Sequence, residues 1–309
     1  MSASSIRSGL ILTPAEMVAL PGDMTVPVDV SWFMPNVKRN PAEEFIAKRI
    51  PKAQRLDLDV VASKHLLGLP HMMPDAETFS EACGSIGIEP TTHVVLYDST
   101  GVFSSPRALF MFKAFGHRKA SILNGGLPRW EDEGRPVESG NPKPVKRTIY
   151  PPPTLDKNLI RSYEQMVINS SAVKPGAEIV LDARAHGRFT GEAPEPRPDL
   201  RSGHIPNSYS LPFSDCIRPQ PSSNGVSYTV MKSEEELRDA ASKTLGPNLT
   251  SVLNHERQVV NSCGSGMTAA VLWLSLQQMG VDSAIYDESW MGYAARPASE
   301  IHTGDGGEA

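Results

Sequence analysis

This chain has few cysteines, no excess of positive charge and no long apolar run, and each shortage narrows what it can be. Cys83, Cys216 and Cys263 are the only cysteines among 309 residues. Three is too few, and odd, for a disulfide framework, and fits free thiols in a reducing compartment. Thirty Lys and Arg stand against 35 Asp and Glu, for a net charge of −5. That balance lacks the basic footprint of a nucleic-acid binder. No apolar stretch approaches the ~20 residues that span a bilayer. No Cys-x-x-Cys occurs, and no second Cys or His lies at ligand spacing from Cys263, so neither a metal nor another cofactor is expected. The opening "MSASSIRSGLILTP" has one Arg, no acid and no secretory pattern. It fits a cytoplasmic protein and leaves a mitochondrial leader open.

What the chain does have is internal repetition. At 309 residues it exceeds one ordinary domain. "VPVDVSWFMP" and "EIVLDARAHGRF" both read as β-branched runs closing on an aspartate, Asp29 and Asp182, and both lead on to Ile-Pro, at Ile50–Pro51 and Ile205–Pro206. Further on, "HVVLYDSTGVFSSPRALFMFKAFGHRKASILNGGLPRW" parallels "QVVNSCGSGMTAAVLWLSLQQMGVDSAIYDESWMGY". Each predicts a strand, a loop of small residues, a helix stopped at Gly116 or Gly280, and a second strand. Helices between short apolar strands predict an α/β fold with a mostly parallel sheet. The Pro-rich, charged stretch between the halves reads as a linker. The expected division is a first domain over 1–142, a linker over 143–155 and a second domain over 156–309.

The chemistry points to Cys263. It sits between the end of an apolar strand and a helix opening at Thr268–Ala269, where open α/β sheets bind ligands. Gly264 and Gly266 permit the positive φ values that let backbone N–H groups curl round a sulfur. The nest and the helix dipole both favour thiolate over thiol. Cys83 reads as a small buried hydrophobe, and Cys216 has no such loop after it. A phosphatase-type cradle needs an Arg six residues after the cysteine; Ala269 stands there, and the Cys263–Thr268 loop holds no side-chain cation. That suits a neutral or singly charged sulfur group better than a dianion.

"CGSGMTA" resembles the active-site loop of the rhodanese superfamily, in the form found in 3-mercaptopyruvate sulfurtransferases; "DARAHGRFTGEAPEPRPDLRSGHIPNS" and "GVFSSPRALFMFKAFGHRKASILNGGLPRW" resemble family blocks of the second and first domains. The resemblance implies two tandem rhodanese-like domains, each a mostly parallel sheet flanked by helices, with chemistry only in the second. Asp98 stands at the position of Cys263 in the first, and a carboxylate cannot carry a sulfane sulfur. The resemblance also implies that Arg188 and Arg197 bind substrate. Guanidinium forks suit a carboxylate beside a ketone, though each Arg has Glu192 or Glu195 nearby as an alternative partner. It makes Gly264, Gly266, Met267 and Thr268 the loop that holds sulfur. It places Ser265 with His71 and Asp59 in a proton relay, with Asp57 as the competing acid. Two departures, "RIPKA" in the first half and "DESWMGY" near the end, bear on packing turns and the rim of the site.

The expected activity is sulfur transfer from 3-mercaptopyruvate through a Cys263 persulfide to a thiol, with release of pyruvate. Thioredoxin, small thiols and a sulfur relay for tRNA thiolation are the acceptors the resemblance implies. Thiosulfate sulfurtransferase is the nearest rival, disfavoured by the uncharged loop. A non-catalytic binding module is the other, disfavoured by the presence of Cys263.

Overall fold

Short β-branched runs form strands here because the helices between them cover both faces of each sheet. The computed structural model describes residues 9–171, 176–197, 199–223 and 225–307; residues 1–8, most of the stretch weighed as a leader, lie outside them. The first half runs β1 (Ile11–Leu12), α1 (Pro14–Ala19), β2 (Thr25–Asp29), α2 (Pro41–Ala47), β3 (Gln54–Arg55), α3 (Ala76–Ser85), β4 (His93–Tyr97), α4 (Ser105–Ala114), β5 (Ala120–Leu123) and α5 (Gly126–Asp132). The second runs β6 (Ile160–Arg161), α6 (Tyr163–Ser171), β7 (Ile179–Asp182), α7 (His186–Thr190), β8 (Ser208–Ser210), β9 (Ile217–Gln220), β10 (Tyr228–Met231), α8 (Glu234–Leu245), α9 (Asn248–Leu253), β11 (Val259–Ser262), α10 (Ala269–Gln278), β12 (Ser283–Tyr286) and α11 (Ser289–Ala294).

The two five-stranded sheets have the order β1-β5-β4-β2-β3 and β6-β12-β11-β7-β8, and every pairing in them is parallel. Counted among the strands of each sheet alone, both orders are first, fifth, fourth, second, third, so the repeated sequence rhythm is a repeated topology. The central strands are apolar and buried on both faces, as parallel sheets require: Val94–Tyr97 in one half, Ile179–Leu181 in the other. α4 and α10 are buried nearly all round. Each ends two residues before a glycine in the left-handed region, Gly116 (φ 73°) and Gly280 (φ 87°), the expected stops. Trp290, Tyr293, Met166 and Val260 centre the second core; Tyr97, Phe45, Ile50 and Trp130 centre the first.

The compact units of the folded chain are not contiguous in sequence. The chain forms two compact units that each borrow from the other half: 1–63, 73–155 and 218–231 make the first, and 64–72, 156–217 and 232–309 the second. The borrowed β9–β10 ribbon is fastened to the first unit by Thr229, whose hydroxyl accepts from Val102 N at 2.8 Å. Gly101 (φ 122°) has no Cβ because Thr229 backbone atoms lie within 2.5 Å of where it would be. The stretch 143–155 is likewise no free tether. Thr148 N donates to Gly84 O, Thr148 Oγ1 to Ile88 O, and buried Tyr150 packs edge-on against Phe79. Its prolines preclude helix and sheet, but Tyr150 gives it an apolar anchor.

One difference between the halves has a pH consequence. Asp182 is held by Arg184 two residues on; the corresponding neighbour of Asp29 is Ser31. Burial pushes the Asp29 carboxyl up to about 6, against two bonds from Ser31 and helped by the nearby Asp98. A carboxyl raised from 3.8 makes the folded state hold the extra proton, so stability falls as pH rises between about 4 and 6. Asp29→Asn should therefore gain on the order of 2–3 kcal/mol over the native protein at pH 7.5 and almost nothing at pH 4. Denaturant midpoints at the two pH values test this; an equal difference at both would refute it.

Candidate active site

β11 ends at Ser262, paired in register with Asp182 of β7, and Cys263 follows at once. The cysteine is buried, with its sulfur turned into its own loop: Gly266 N donates to Cys263 Sγ at 3.1 Å. Gly266 reaches that geometry with φ 86°. Met267 is buried, while Ser265 and Thr268 are half-buried. Thr268 caps α10 without a side-chain hydrogen bond, and Ala270 N and Val271 N donate to the carbonyls of Met267 and Thr268.

The first half displays the same loop filled. Asp98 follows β4 as Cys263 follows β11. Its carbonyl accepts from Leu127 N at the head of the last helix, as the Cys263 carbonyl accepts from Trp290 N. The Asp98 carboxylate sits in a ring of amides. Oδ1 accepts from Thr100 and Gly101, and Oδ2 from Phe103, Ser104 and Ser105, all within 3.1 Å, with the Ser105 hydroxyl at 2.8 Å. This loop is built for an anion, and in the first half the anion is covalently supplied.

A chain of alternating charges leads outward from the second-half loop. Asp182 binds Arg184 Nη2 at 2.6 Å, Arg184 Nη1 binds Glu195 Oε1 at 2.8 Å, and Glu195 Oε2 accepts from Arg188 Nη2 at 2.5 Å. The Arg184 guanidinium also lies 4.2 Å above the Trp290 ring. Burial works against its charge, but Asp182 and Glu195 outweigh that and hold its proton more tightly than usual. Arg188 is the outer, half-buried end, and its Nη2 lies 3.3 Å from where a Cβ on Gly264 would be. A cation therefore does reach the loop, supplied by α7. The carboxylates of Asp182 and Glu195 balance Arg184 and Arg188, so the array sums to zero.

Among the expected site residues, Cys263, Gly264, Ser265, Gly266, Met267 and Thr268 share one loop, and Arg188 adjoins it. Arg188 has the neighbour weighed for it, Glu195. Arg197 is half-buried in the segment two residues beyond Glu195. His71 is buried, at φ 60°, in the 64–72 segment that belongs to the second unit. Asp59 belongs to the first unit, where it accepts from Trp32 Nε1 at 2.9 Å, and Asp57 pairs with Arg55. Sequence reasoning missed Arg184 and Ser289, and weighed Glu195 only as an alternative partner for the arginines. Arg184 did not stand out because it sits in a block dense with other charges, from Asp182 to Arg201. Ser289 gave no signal, because only the fold brings it to Cys263. Groups of His, Cys, Asp or Glu able to hold a metal are absent among the described residues, and no helix there is long and apolar enough to cross a membrane.

Comparison with known proteins agrees with this arrangement. The rhodanese-like domain model matches twice, over residues 22–133 and 164–296. The chain is 38% identical over 273 residues to the probable 3-mercaptopyruvate sulfurtransferase of Schizosaccharomyces pombe, covering 88% of this chain and 87% of that protein. It is 36% identical over 284 residues to the 3-mercaptopyruvate sulfurtransferase of Homo sapiens, covering 90% and 89%. The crystal structure of the Tum1 protein from Saccharomyces cerevisiae superposes with a TM-score of 0.82 at 26% identity, covering both chains completely. Two matched domains, one with its anion loop occupied by Asp98 and one with a cysteine in the same place, make this chain a tandem member of the rhodanese family.

Proposed function

We propose that this protein is a 3-mercaptopyruvate sulfurtransferase whose second unit carries the sulfur on Cys263. Arg188 and Arg197 grip the carboxylate and ketone of the donor. The Cys263 thiolate attacks the substrate sulfur, and the carbon–sulfur bond breaks with its electron pair leaving as pyruvate enolate. A proton delivered through Ser265, with His71 of the same unit as its source, completes pyruvate. Cys263 is left as a persulfide, and a second thiol takes the outer sulfur and restores the thiolate. Thioredoxin and small thiols are the acceptors in this scheme, and a relay toward tRNA thiolation is a further role for the same persulfide. The compartment in this reading is cytoplasmic or mitochondrial.

The observation that carries the reading is Asp98. A carboxylate and a persulfide on Cβ are alike in atom count: Cγ corresponds to Sγ and an Oδ to the outer sulfur, although the persulfide reaches further because its S–S bond alone is about 2.0 Å. The first-half loop surrounds that outer atom with amides, and this supports reading the loop after Cys263, where Gly266 N already donates to Sγ, as a cradle for a persulfide anion. The zero-sum charge array and the uncharged loop favour a donor with one carboxylate over dianionic thiosulfate, the substrate of the rival reading.

Adding mercaptopyruvate should raise the intact mass by one sulfur and release one equivalent of pyruvate, with kcat/KM above that for thiosulfate. A higher value with thiosulfate would move the assignment to the rival donor. No sulfur adduct with either donor, and indifference to iodoacetamide, would leave a binding module.

A further inference from the structure

Ser289 is buried and sits at φ 51°, a left-handed conformation that is costly for a residue with a Cβ. The matching position in the first half, just before the amide that binds the loop carbonyl, is Gly126 at φ 54°. Glycine there is what the backbone prefers. The half with the cysteine instead keeps a side chain, and its hydroxyl touches that cysteine twice. Cys263 N donates to Ser289 Oγ at 3.2 Å, which fixes the oxygen, and Oγ lies 3.9 Å from Sγ. The hydroxyl has a second acceptor, the Tyr286 carbonyl at 2.9 Å.

We infer that Ser289 is a positioning residue for the nucleophile, its hydroxyl proton resting on Tyr286 O beside a neutral thiol and turning to Sγ when the sulfur becomes an anion. Bonds to an anion are the stronger kind, so the turn is driven by the charge it stabilises. No heavy atom has to move, because the Cys263 amide already holds the oxygen in place. The strained backbone is retained because glycine would lose this donor. The inference rests on Cys263 being the reactive thiol.

The test pairs two substitutions that both remove the hydroxyl but differ in strain. Ser289→Gly relieves the left-handed backbone, and Ser289→Ala keeps it. The readout is the pH dependence of iodoacetamide alkylation at Cys263, followed on its peptide. Arg188 over Gly264, Arg184 on Trp290, Asp182 beside Ser262, and Asp287 and Glu288 ahead of α11, the latter tied to Arg296 and 3.7 Å from His65, all remain in both variants. Both should slow alkylation at pH 7 about three- to tenfold and move its pH midpoint up by about 0.5–1. Ser289→Gly should nevertheless melt at or above the native temperature. An unchanged midpoint in Ser289→Gly would overturn the inference while leaving the proposed function intact. So would a shift confined to Ser289→Ala, which would make the residue a packing element. A native Cys263 that is not alkylated at all would remove both.

Discussion

Cys263→Ser should abolish sulfur transfer, with pyruvate release from mercaptopyruvate falling at least about a thousandfold. Serine fits the loop and accepts from Gly266 N, so the fold should persist. What is lost is chemical. A serine hydroxyl is not ionised near neutral pH, and oxygen lacks the polarisable lone pairs that attack sulfur and hold a second sulfur. The other two thiols cannot substitute. Burial pushes Cys83 far above the usual thiol range in α3, and pushes Cys216 up to about 11. Cys83→Ser and Cys216→Ser should therefore keep their turnover, apart from a modest loss of stability. Single-turnover pyruvate release from each variant decides the matter. Near-native release by Cys263→Ser, or its loss in either of the others, would place the nucleophile elsewhere.

The largest stability effect should come from a residue without a role in the chemistry. Asp98→Ala would strip five loop amides and the Ser105 hydroxyl of their acceptor at once. Each buried donor left unmade costs about 1–3 kcal/mol, and water entering the vacated space recovers part of it. We expect a loss of at least about 4 kcal/mol, a large share of the 5–15 kcal/mol typical of a domain. At roughly 2–4 °C per kcal/mol for a unit of this size, the melting transition should fall by about 10 °C or more. Asp98→Asn keeps one acceptor oxygen but turns an NH₂ toward the remaining amides, so it should fall between. A melting temperature for Asp98→Ala within two or three degrees (~1 kcal/mol) of the native one would show that the ring of amides does not depend on the carboxylate.

Features set by neighbouring residues are legible in this sequence, and features set by distant contacts are not. Strand ends at Asp29 and Asp182, the helix stops at Gly116 and Gly280, and the cysteine at a strand end are local features. Local backbone preference and apolar periodicity write them into neighbouring residues. The α/β class and the tandem repeat followed from them. What stayed hidden depends on contacts between distant residues. Nothing near Thr229 says that it closes against Gly101, and nothing near Ser289 says that it will face Cys263 across 26 positions. The 143–155 stretch reads as a linker because its prolines are conspicuous, and its one anchoring tyrosine is not. Arg188 was legible as a charged fork, but its dependence on Glu195, and through it on Arg184 and Asp182, belongs to the folded site.

The borrowed segments also set an order of events during synthesis. A chain emerges from its N-terminus, so residues 1–155 are available long before 218–231. Until that ribbon is made, the first unit has its five-stranded sheet but no Thr229 to seal the loop around Asp98. The second unit waits in the opposite sense: its missing piece, 64–72, is already outside when its first strand appears. The first unit therefore closes only once residue 231 is made, and the second follows with the strands and helices after it, so the polypeptide must hold one incomplete unit while it begins the other.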